Sequence, residues 1–117
     1  MYPFPTDFDV RQFQFAELEM VCFASYSMYL HFTRNLMLTV ECDFEYCEVG
    51  KPTGTRSTFP LRNSSLMQLV GSRVTEANVS ETATLSLQFE SRGVLRIHPH
   101  ATYESYRIKQ GGREFIV

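Results

Sequence analysis

The chain has 117 residues, of which 44% are hydrophobic and 14% aromatic, with a net charge of −2 and a pI near 5.9. A composition this apolar is globular and excludes intrinsic disorder, and no apolar run approaches the ~20 residues of a membrane-spanning helix. The acidic balance and the absence of a Lys/Arg run argue against nucleic acid as the main ligand.

This length predicts one domain that needs no metal or disulfide staple. The first ten residues lack the basic and apolar regions of a secretory signal. Cys22, Cys42 and Cys47 form an odd set, which fits a reducing, cytoplasmic compartment. Charge divides unevenly along the chain. Residues 1–50 hold eight acids and two bases, whereas residues 51–117 hold five acids and nine bases.

Residues 8–16 fit either a short helix or a strand. A first strand is expected over 17–25, a second over 26–33 and a third over 36–46, all with apolar residues alternating at period two. A three-residue loop at Thr33-Arg34-Asn35 would set Phe32 opposite Leu36, Leu30 opposite Leu38 and Met28 opposite Val40, which puts all six on one face. Residues 50–60, rich in Gly, Pro and Thr, form the expected linker. A short helix over 63–71 would be capped by Asn63 or Ser64 and stopped by Gly71.

Strands over 72–79, 83–90 and 94–99 then repeat the first plan at an offset of 57 residues. The offset carries Met28–Phe32 onto Leu85–Phe89, Leu38 onto Leu95, Val40 onto Ile97 and Tyr46 onto Tyr103. Gly93 supplies a positive φ in the second hairpin turn, and a closing strand is expected at Glu114–Val117. The predicted class is mainly β: antiparallel sheets from two repeated three-strand units (about 8–49 and 63–108), forming a sandwich or half-open barrel with one or two short helices.

The predicted third strand carries Glu41, Asp43 and Glu45 on one face, about 6–7 Å apart. Glu17, Glu19, Tyr29 and His31 add to the polar side of its neighbours. Charged residues ordinarily point to solvent. A row of like charges also weakens an isolated sheet, and a basic partner would relieve it. These seven residues are therefore the candidate partner-binding set. His98 and His100 share a side of an extended chain, but no further ligands lie near in sequence, so no metal or other cofactor is expected. Cys22 and Cys42 fall on apolar phases and are expected in the core. No nucleophile motif is present, and no catalytic residue is expected.

The pattern Leu69-Val-Gly71, Val74, Leu85-Ser-Leu-Gln-Phe89, Leu95-Arg-Ile97 and Tyr103-Glu104-Ser105-Tyr106 resembles a family of small bacterial proteins. Many of its members look like immunity proteins encoded beside secreted toxins of contact-dependent competition systems. The resemblance covers about residues 66–108 and implies a toxin domain as the protein partner. It carries over no functional residue, because the shared pattern is structural. The charge reading points the same way: an acidic sheet face would complement the basic cleft of a toxin nuclease. The competing expectation is a β-barrel module that holds a small apolar ligand among its Phe and Tyr side chains.

Overall fold

The period-two segments become ten strands in the computed structural model, which describes residues 3–48, 54–59, 66–90, 93–101 and 104–117. They are β1 (Leu18–Phe23), β2 (Met28–Phe32), β3 (Leu36–Val40), β4 (Asp43–Cys47), β5 (Thr55–Ser57), β6 (Val74–Val79), β7 (Leu85–Phe89), β8 (Gly93–His98), β9 (Tyr106–Gln110) and β10 (Arg113–Ile116). Two antiparallel sheets result. Sheet 1 has the order β1-β2-β3-β9-β10 and sheet 2 the order β5-β4-β8-β7-β6. Neither closes into a barrel.

The hairpin register matches the sequence reading, with Phe32 opposite Leu36, Leu30 opposite Leu38 and Met28 opposite Val40. Arg34 and Asn35 make the turn with φ of 66° and 56°. The helical segments are single 3-10 turns at Val10–Phe13 and Leu66–Leu69. Asp9 caps the first by accepting from the Arg11 amide at 2.9 Å. The caps expected at Asn63 and Ser64 lie outside the described residues.

The expected third strand over 36–46 is corrected. It breaks at Glu41-Cys42, and the chain leaves sheet 1 for sheet 2, where β4 pairs with β8. The second half makes the reciprocal crossing. After β8 it returns to sheet 1, where β9 pairs with β3. Each unit is thus five strands rather than three, and each gives its last two strands to the other's sheet. β5 hydrogen-bonds to β4, and β10 to β9, at equivalent edges. Strand β5 lies inside the expected linker, and β9 was not anticipated.

An internal two-fold relates the halves. It passes near the bridge between Glu17 and Arg73. Around it the backbone bonds come in matched pairs: Leu18 N–H donates to Ser72 O at 3.0 Å, and Val74 N–H to Ala16 O at 2.8 Å. Likewise Phe15 N–H donates to Val74 O, and Gly71 N–H to Leu18 O. Both first strands carry a bulge, between Leu18 and Met20 and between Val74 and Glu76. A bulge shifts the side-chain phase by one residue. For that reason Cys22, expected in the core, instead pairs with Tyr29 and faces outward.

The inward faces of both sheets meet in one apolar cluster that takes residues from both halves. Its large, fully buried members include Phe13, Met28, Phe44 and Tyr106. Each such burial contributes about 1.5–3 kcal/mol. An aromatic chain closes one end, running Phe8–Phe13–Phe32 with centroid distances of 5.9 and 5.5 Å. The Tyr106 hydroxyl donates to Ala83 O at 2.7 Å, which ties β9 to the β6–β7 loop of the opposite sheet. Tyr103 lies outside the described residues. No helix among the described residues is long and apolar enough to cross a membrane.

Candidate functional site

The break after β3 divides the acidic row. Glu41 stays with sheet 1, whereas Asp43 and Glu45 move with β4 to the outer face of sheet 2. All three meet cations from other strands, Glu41 and Glu45 from the second unit and Asp43 from β5 of its own unit. Glu41 accepts from Arg107 at 2.9 Å, Asp43 lies 3.3 Å from Arg56, and Glu45 lies 3.6 Å from both Arg96 and His98. The expectation of one acidic face on one strand is therefore corrected: the carboxylates are split between sheets and engaged within the chain. Glu17 sits at the bridge on the two-fold, and Glu19 in the bulge of β1.

Tyr29 and His31 occupy the outer face of sheet 1, each second in a cross-strand row of five. One row runs Cys22, Tyr29, Thr39, Arg107 and Ile116; the other runs Met20, His31, Met37, Lys109 and Glu114. Two shallow depressions of about 130 and 270 Å³ lie along these rows. Tyr29, Met37, Thr39, Arg107, Lys109 and Glu114 line the first. The second adds Glu19 and His31 and shares Met37 and Lys109, so the two are continuous. Of the seven expected residues, Glu19, Tyr29 and His31 border this groove directly, and Glu41 does so through Arg107.

Arg107 organises one end. It bonds Glu41 at 2.9 Å and reaches Glu114 at 3.5 Å. These acids hold its guanidinium charged, the Glu41 bond contributing most. Its Nε is shielded and has no hydrogen-bond partner. Lys109, on the same strand, supplies a second cation at the middle of the groove. The face therefore offers aromatic, thioether and cationic groups together, with carboxylates at its margins.

The two-fold supplies an internal comparison. The outer positions of sheet 1 at Met20, Cys22, Tyr29, His31, Met37 and Thr39 correspond to Glu76, Asn78, Ser86, Gln88, Val94 and Arg96 in sheet 2. At five of these six positions sheet 1 carries an apolar, aromatic or larger side chain where sheet 2 carries a polar or shorter one, Thr39 against Arg96 being the exception. The fold does not require the larger side chains of sheet 1. Nothing in composition marks the difference, and only alignment of the halves across the two-fold reveals it.

His98 faces Asp43 across the β4–β8 ladder and Glu45 diagonally. His100 binds Ser105 through its backbone, with N–H donating to Ser105 Oγ at 2.7 Å. Among the described residues no three His, Cys, Asp or Glu side chains gather as metal ligands. Cys22 and Cys42 are free thiols.

A family model described as a family of unknown function, DUF6188, matches residues 12–117, and the chain belongs to that family. The match takes in the first half, which the sequence resemblance over 66–108 left unplaced. Among curated proteins and solved structures none matches significantly.

Proposed function

We propose that this chain is a non-catalytic binding module that docks the outer face of sheet 1 on another protein, and that it serves as the cytoplasmic immunity partner of a secreted bacterial toxin domain. The observation that carries the docking face is the divergence of two equivalent surfaces. Sheet 2 has the polar exterior of a solvated sheet, while sheet 1 presents Met20, Tyr29, His31 and Met37 at the same positions. An apolar and aromatic surface that folding does not need marks an interaction site. Tyr with flanking Arg is also the composition of energetic centres in protein interfaces.

The immunity role comes from the sequence resemblance over residues 66–108, and the free thiols suit a reducing compartment. With Asp43 and Glu45 engaged in sheet 2, the reading no longer singles out a nuclease as the toxin. The filled interior, with Phe13, Phe44 and Met28 fully buried, disfavours a barrel that holds a small ligand.

The test is to identify a secreted multidomain protein encoded next to this chain and to co-express its C-terminal domain with it; absence of such a neighbour would also count against the immunity role. Growth should be restored, with a complex that buries on the order of 1,600 Å². The variant Tyr29→Ser/His31→Gln installs the residues of the second unit, which the same backbone already accommodates. It should keep the wild-type thermal unfolding and lose at least tenfold in affinity. Absence of protection by the wild type would refute the immunity role. Unchanged affinity of the folded variant would move the interface elsewhere.

A further inference from the structure

A β-sheet edge is a row of unpaired backbone donors and acceptors, and proteins ordinarily blunt it with charge, shortness or a bulge. Four edges exist here. β5 has three residues and an exposed Arg56, and β10 has four, beginning with exposed Arg113 and Glu114. β6 is longer but carries exposed Glu76 and Asn78 after its bulge, with Glu81 in the following turn.

β1 is the exception. Its bulge is the same, yet the regular part beyond it is Met20-Val-Cys-Phe23, followed by Ala24-Ser-Tyr26, without one charge. Met20, Phe23 and Tyr26 are 47%, 42% and 68% exposed. Of two equivalent edges related by the internal two-fold, β6 is guarded by charge and β1 is bare.

We propose that β1 pairs with β1 of a second copy of this chain, antiparallel about a two-fold axis, joining two sheets 1 into one ten-stranded sheet. Three observations favour a second copy as the occupant. Isologous pairing sets a strand against itself, so it tolerates only a segment whose charges do not oppose each other, and residues 20–26 carry none. The start of this edge already pairs antiparallel with its counterpart inside the chain, at Glu17 and Arg73, so the dimer extends an arrangement that the fold uses once.

The third observation is register. Opposed residues must share a face. With Cys22 at the axis, Val21 of one copy meets Phe23 of the other on the inward side, and Met20 meets Ala24 outside. Glu19 then faces Ser25. The aliphatic–aromatic pair would cover the part of Phe23 that is exposed in the single chain. The proposal does not rest on the docking face assigned above. It would set two such faces side by side.

The experiment is sedimentation equilibrium from about 10 µM to about 1 mM, spanning the weak-to-moderate affinity range, combined with hydrogen exchange at both ends of that range. The expected mass rises toward twice the 13.6 kDa of the chain, and β1 amides exchange at least tenfold more slowly in the dimer. Met20→Glu/Cys22→Asn, which writes the β6 residues into β1, should remain monomeric throughout. A wild type that stays monomeric overturns the proposal, even if a strand of another protein occupies the edge. So does a dimer that survives the double substitution or leaves β1 exchange unchanged. Should the double variant fail to fold, exchange on the wild type decides alone.

Discussion

Phe15 holds a φ of 66° while its side chain is 65% exposed. The left-handed region costs a residue with Cβ about 1–2 kcal/mol. Its counterpart across the two-fold is Gly71, at φ 89°, which has no such cost. Phe15→Gly should therefore raise stability by about 0.5–1 kcal/mol, read from the urea midpoint at constant m-value. A second residue-scale consequence concerns pH. Burial, aided by Asp43, pushes the Cys42 thiol up from its ordinary 9.0 to about 12. Burial also raises Tyr106 above the ordinary tyrosine value. In each case the unfolded chain releases its proton first as pH rises. The stability these groups contribute is whole below about pH 9 and falls above it, through the Cys42 range and then the Tyr106 range. Urea midpoints between pH 8 and 11 should decline, and Cys42→Ala should flatten the early part of that decline. Tyr106→Phe leaves Ala83 O without its donor and should cost about 1–2 kcal/mol at pH 7.

The decisive feature among the elements is the contact between β4 and β8. A Cβ added to Gly93 would collide with the backbone carbonyl oxygen of Cys47, and the residue also holds φ 99°. The close approach is what lets the first unit's fourth strand join the second unit's sheet. Gly93→Ala forces apart a backbone contact rather than a mobile side chain, and it adds left-handed strain. The expected loss is about 3 kcal/mol or more, well above an ordinary surface substitution. A thermal midpoint within a few degrees of wild type would contradict it. Alternation alone made 36–46 look like one strand, because Leu36, Leu38, Val40, Cys42 and Phe44 keep period two across the break. Each is buried in fact, but against different sheets. The β1 bulge was equally silent, since Met20 and Cys22 are apolar and resemble core residues in phase.

The reciprocal exchange binds the halves of the whole molecule to one another. β8 has β4 as neighbour, and β3 has β9, so neither half completes a sheet by itself. Fragments 1–60 and 61–117 should each lack cooperative unfolding when prepared alone. Mixed, they should recover the β-sheet circular dichroism of the intact chain. Cooperative unfolding of either fragment in isolation would contradict the interlocked architecture.

Local chemistry in the sequence was enough for the β class, the 57-residue correspondence of β2–β3 with β7–β8, the β2–β3 register and the positive φ of Gly93. These depend on neighbours a few residues apart, through side-chain alternation and turn geometry. The offset does not hold for the other strands, and Tyr46 is equivalent to Ile108 rather than to Tyr103. The acidic row at Glu41, Asp43 and Glu45 was also legible as a pattern, but its meaning was not. Which sheet a strand joins is decided by partners far away in the chain, here Arg107 for Glu41 and Arg96 for Glu45. Only the folded arrangement divided those carboxylates between two surfaces and set Tyr29, His31 and Met37 beside Lys109. Strand alternation specifies which side of a strand is buried; long-range pairing alone specifies what that side is buried against.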